Sequence, residues 1–264
     1  MKIYQQFLKR LIQNYLIGSF VSVIVVGGVL IFTTLNITNQ DMLILFMVLA
    51  TSLLIMIACE FIIFNKHLQP IKHVFKSNTI PTTHELQKAY KQVHRFPQLT
   101  GMRILGPHLF GLSIPAIFMT TLLIANGLIA LPYEYIIYAM IGAILIAGMH
   151  AMIEYFHTTF AIEPILDELQ SIARTQYQTE LFLDQDIIVS LRTKFQCSAL
   201  LIGAFPLLLF SLVTQVRIAD YSDIIVSDFW AWAGLILLMA ICLSLYGAWL
   251  LFSIVNKPIQ HLQK

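Results

Sequence analysis

The sequence predicts an all-α integral membrane protein of six transmembrane helices, built as three tandem two-helix units. Three observations carry this: the composition, six long apolar stretches, and a junction that recurs every 94 residues. Apolar residues make up 58% of the 264 and charged residues 11%, whereas soluble domains run at about 45–50% and 25%. Lipid is therefore the expected solvent for most of the chain.

Crossing a hydrocarbon core of about 30 Å takes about 20 helical residues, and a helix satisfies its own backbone groups there. Six stretches are long enough, at about 14–36, 41–64, 104–126, 135–160, 195–216 and 228–255. The first, third and fifth connections are short. The second and fourth span roughly 35 residues each and read as larger loops. Of sixteen lysines and arginines only Arg217 falls in a short connection, which places the long loops and both termini in the cytoplasm of a multi-pass protein of the cell membrane. The first apolar stretch lacks a small-residue cleavage site and reads as a retained span.

The junctions Gln69-Pro70-Ile71, Glu163-Pro164-Ile165 and Lys257-Pro258-Ile259 follow the second, fourth and sixth spans at a constant spacing of 94. Proline in a first helical turn costs no hydrogen bond, so each junction reads as the end of a membrane helix and the start of an amphipathic cytoplasmic one. The repeat units run about 1–75, 76–169 and 170–264, with a six-helix membrane domain over 1–257. Units with an even number of spans all face the same way, unlike the inverted repeats of many transporters.

Two carboxylates fall inside spans, Glu60 and Glu154, each ten residues before its proline, where the third unit has Ala248. An ionisable group there costs about 2.5–3.5 kcal/mol at the span centre and marks a candidate site. His150, Glu154 and His157 share one helix face, with Ala143 and Ala147 continuing it. Glu60, His150, Glu154 and His157 are the candidate ligand or proton-sensing residues. Their types and spacing also suit a carboxylate and histidine metal centre, and equally a set of interhelical hydrogen bonds; no metal is assigned. His108 lies near the start of the third span and reads as structural. The first long loop is basic (Lys66, Lys72, Lys76, Lys88, Lys91, Arg95) and attracts anionic headgroups; the second is acidic, from Glu163 to Asp186.

Other classes recede. No phosphate cradle, catalytic triad or cofactor motif is present, so this chain is not expected to be an enzyme. Cys59, Cys197 and Cys242 are too scattered for a disulfide or zinc framework. A net charge of +2 without interleaved basic and aromatic residues argues against nucleic acid. A transporter or channel needs a continuous polar path, yet the outer halves of the spans carry no acid, base or histidine.

The stretch Asn256-Lys257-Pro258-Ile259-Gln260-His261-Leu262 resembles the opening of a HAMP domain, truncated at Lys264. With Ala161–Leu169 and Leu191–Leu207, including Arg192, Pro206 and Leu207, the chain looks like the six-helix N-terminal region of bacterial HAMP-containing class III adenylate cyclases. The resemblance implies a membrane sensor and anchor that regulates a cytoplasmic output domain through a HAMP linker, with Lys257, Pro258 and Ile259 as the transmission element. It also implies a homodimer in the full-length protein. HAMP equally serves chemoreceptors, kinases and diguanylate cyclases, which remain alternative outputs. Because the external connections are too short for a sensory domain, the expected input is membrane lipid, an apolar or lipid-like ligand, or protonation.

Overall fold

The computed structural model describes residues 2–34, 37–76, 80–183, 191–220 and 226–262. Among them every regular element is helical. In chain order these are α1 (Lys2–Ser19), π1 (Phe20–Gly27), α2 (Gly28–Thr34), α3 (Asn39–Lys76), α4 (Thr83–Arg103), π2 (Ile104–His108), α5 (Leu109–Ala125), α6 (Glu134–Ala161), α7 (Glu163–Tyr177), α8 (Leu191–Ala199), π3 (Leu200–Ala204), α9 (Phe205–Asp220) and α10 (Val226–Leu262). They join into six runs long and apolar enough to cross a membrane. The π segments contain bonds closed five residues back, as from Leu109 N–H to the Ile104 carbonyl and from Phe205 N–H to that of Leu200.

The expected large loops are mostly helix. The third run extends unbroken from Thr83 to Ala125, 43 residues, or about 65 Å at 1.5 Å per residue. Its start is set by a capping box: Thr82 Oγ1 accepts from Glu85 N–H, and Glu85 Oε2 accepts from Thr82 N–H at 2.8 Å. Such a helix projects well beyond a bilayer's apolar thickness, and its projecting part packs. Ile71, Leu86, Ala89, Val93, Phe96, Ile165, Leu169 and Ala173 are fully buried where α3, α4 and α7 meet the start of α1 at Phe7 and Leu11. Fully burying a side chain such as Leu86 or Phe96 contributes about 1.5–3 kcal/mol where the alternative is water. The result is a second core, at the end of the bundle that carries most of the basic residues.

The segment after α7 is fastened to this core. Gln178 adopts a left-handed conformation (φ 50°) that closes the helix. Leu181 then buries, and the Gln87 amide binds both the Phe182 carbonyl (2.5 Å) and its N–H (3.3 Å).

The three proline junctions differ from one another. Only at the second does the helix break, with Ile162 between α6 and α7. At the first, α3 continues through Pro70 to Lys76, and the Gln92 side chain donates to the His67 carbonyl in the turn before it (2.8 Å). At the third, the backbone of α10 continues to Leu262; the side chains of Lys257, Pro258 and Ile259 lie outside the described residues, as do those of Arg192, Asp184 and Asp186. The expectation of a helix end at every junction is corrected here, because a proline removes one donor and neighbouring helices hold the rest of the ladder.

Helix α6 lies at the centre, against α1, π1, α4, π2, α5, α9 and α10, whereas α3 packs on α4 and α5. Close approach is permitted by small residues. A Cβ at Gly111 would lie 3.1 Å from the Met56 backbone, and Ala147 and Ala151 bury against Ile104 and Leu109. The stripe of alanines predicted on α6 is thus a packing surface. Outward faces are apolar, for example Leu54, Phe118, Ile137 and Leu238.

Candidate functional site

Glu60, on α3, is 5% exposed, and its carboxylate is saturated. Arg103 Nε donates to Oε1 at 2.8 Å; His108 Nδ1 and the Tyr15 hydroxyl donate to Oε2 at 2.8 and 2.9 Å. These partners come from α4, π2 and α1, so one carboxylate ties the first three runs together. Arg103 also lies over the Phe64 ring, 4.8 Å from its centroid. A buried pair of this kind has a large desolvation cost, offset only when extra hydrogen bonds complete it, as Tyr15 and His108 do.

The local winding makes the cluster possible. In an α-helix, residues five apart point away from one another; in π2 the extra residue in the turn brings Arg103 and His108 to the same side. Pro107 lies within that turn and cannot donate to the Arg103 carbonyl four residues back.

His150 and Glu154 on α6, both 1% exposed, adjoin the cluster from the fourth run. The His150 ring sits edge-on to His108 at 5.0 Å and 6.1 Å from Tyr15. Both carry atoms without a hydrogen-bond partner: Nδ1 and Nε2 of His150, and Oε1 of Glu154; Arg103 Nη1 is in the same condition. Gly18 is what lets α1 pass them, since a Cβ there would stand 2.6 Å from Glu154 Oε1 and 3.0 Å from His150 Nε2.

The structure therefore brings together three of the four predicted site residues. It separates His157, which is hydrogen bonded to the Tyr246 hydroxyl on α10. His157 lies about 10 Å along the helix from His150 and about one turn beyond Glu154, where α10 crosses. Sequence reasoning missed Arg103, Tyr15 and Gly18, and treated His108 as peripheral. Among the described residues no group of three His, Cys, Asp or Glu side chains is arranged to hold a metal ion.

A further device joins the fifth and sixth runs. Pro206 has no N–H for the Ile202 carbonyl four residues back, and Ser244 Oγ on α10 donates to that carbonyl at 2.6 Å. At the other end, Arg217 donates to the Thr33 carbonyl at 2.9 Å and lies over the Trp232 ring.

No family model, curated protein or solved structure matches the chain.

Proposed function

We propose that this chain is a membrane-embedded sensory and transmission module, with both termini cytoplasmic, that regulates an output domain following α10. The observation that supports it best is the double attachment of α6. One stretch of that helix presents His150 and Glu154 to the polar cluster of the first three runs, and about one turn beyond Glu154 the His157 side chain holds Tyr246 of α10. A change in the cluster therefore reaches the sixth run through a single central helix, and α10 carries it as continuous backbone to Leu262. The apolar outward faces fit lipid as the surrounding solvent. The class of output rests on the resemblance of the Lys257-Pro258-Ile259 junction to a HAMP entry, and a class III adenylate cyclase is the first choice.

The test is a fusion of the chain, through a HAMP domain, to a reporter cyclase, with cyclic AMP measured beside protein level. Tyr246→Phe removes the hydroxyl that links α6 and α10 and Pro258→Ala stiffens the exit; both should change output at constant expression. Pro70→Ala should act on protein level alone. Unchanged output from Tyr246→Phe and Pro258→Ala together would sink the transmission reading.

A further inference from the structure

A groove of about 530 Å³ opens on the side of the bundle between the first and second runs, within the range of about 300–1,000 Å³ typical of small-molecule sites. Leu16, Ile17 and Phe20 wall it on one side and Leu53, Met56 and Ile57 on the other. Such walls suit a hydrocarbon chain, and the residues that continue them toward the membrane boundary decide what the chain belongs to. α1 is regularly wound from Lys2 to Ser19, and residues seven apart on such a helix point within about 20° of one another. Seven places before Leu16 and Ile17 stand Lys9 and Arg10. Both are exposed, as are Ile12 and Gln13 between them and the groove, so the way from one to the other runs over the outer surface. Among the described residues no carboxylate pairs with either cation.

We propose that this groove seats one acyl chain of an anionic phospholipid whose phosphate is held by Lys9 and Arg10. Three features select that chemistry. The apolar stretch of this run begins at about residue 14, which puts the two cations about 6–8 Å outside the hydrocarbon, at the depth of the headgroup layer. The rise from Lys9 to Leu16 is about 10 Å, a distance that the glycerol backbone and the two long cationic side chains bridge together. The guanidinium fork binds two phosphate oxygens and the ammonium adds a point charge, whereas a zwitterionic lipid brings a cation of its own against two that have no carboxylate. The groove touches the polar cluster at Tyr15, which lines it and donates its hydroxyl to Glu60. The site thus supplies a lipid input to the sensor reading, and it rests on that reading's placement of the chain in a membrane.

The experiment uses the purified full chain in phosphatidylcholine nanodiscs, with no output domain, and phosphatidylglycerol bearing a mid-chain diazirine as the probe. Photolabelling should concentrate on peptides carrying residues 16–24 and 53–57, above the level on the exposed face of α10 at Leu238 and Leu245. Phosphatidylcholine with the same diazirine should show no such preference. Lys9→Gln with Arg10→Gln should lower labelling of the groove by the anionic lipid about tenfold. Lys66→Gln with Arg95→Gln removes as much charge from the same end of the bundle on other helices, and should leave that labelling unchanged. Val23→Trp, which narrows the groove and keeps both cations, should lower it. Equal labelling by the two lipids, labelling no greater in the groove than on α10, or equal losses from the two double substitutions would each overturn the site. None of these results touches the cyclase fusion, which judges the sensor reading separately.

Discussion

Arg103 and His108 stand five residues apart, yet each binds a different oxygen of the Glu60 carboxylate, both at 2.8 Å. The π turn between them makes this possible, and it leaves the carboxylate with a full set of donors in a place from which water is largely excluded.

Removing one partner of this pair leaves the other as an uncompensated buried charge. Glu60→Gln and Arg103→Gln should each destabilise the protein by about 3–5 kcal/mol, and the double substitution should cost much less than their sum. Thermal unfolding in detergent measures all three. Additive losses would mean that the two side chains do not act as a pair.

Gly18 and Gly28 lie in the same run and make opposite predictions. Gly18→Ala drives a methyl into Glu154 and His150 and should destabilise by about 1–3 kcal/mol, as overpacking does. A Cβ at Gly28 meets nothing within 4 Å, so Gly28→Ala should be neutral or stabilise by about 0.5–1 kcal/mol through the lower entropy of the unfolded chain. Similar effects at the two positions would contradict the packing described here.

Ser244 and Pro206 form a cycle in which one residue creates the need that the other meets. Ser244→Ala should cost about 0.6–1.7 kcal/mol, the usual range for a hydrogen bond between membrane helices. In a Pro206→Ala background the Ile202 carbonyl regains a backbone donor, and the cost of Ser244→Ala should shrink toward zero. An unchanged cost would assign the serine a different role.

The proposed orientation predicts reactivity toward an impermeant thiol reagent in intact cells. In a cysteine-free background, Asn39→Cys and Pro132→Cys should be labelled and Asp167→Cys should be protected until the membrane is opened. Labelling of Asp167→Cys from outside would reverse the topology.

The six apolar runs and their approximate limits were legible because hydropathy over twenty residues is a sum, insensitive to local detail. What lay between them was harder. The segment from Thr83 to Arg103 mixes charges with apolar residues in the pattern of an amphipathic helix, yet counting its basic residues for topology treats it as loop. Arg103 was lost in that count: as one of fifteen basic residues on one side it read as an orientation signal, whereas it is 4% exposed and paired. Tyr15 was hidden in an apolar stretch, where an aromatic needs no explanation until its hydroxyl is seen. Glu60 and Glu154 were found because a carboxylate in a span always needs a partner, but their equivalence by sequence spacing did not carry over to environment. Glu60 is saturated and Glu154 is not. The π turn had no readable signature, and without it Arg103 and His108 cannot be placed on one side.

π segments occur in each odd-numbered run, at Phe20–Gly27, Ile104–His108 and Leu200–Ala204. A helix wound evenly transmits a twist from end to end, because every residue is locked to the one four places on. A surplus residue in the winding breaks that lock: as it moves along the chain, each residue it passes turns by about 100° while the ends stay where they are. In the first run the surplus begins directly after Gly18 and Ser19. A π segment therefore stands between the half of that run held in the second core by Tyr4, Phe7 and Leu11 and the half beyond it.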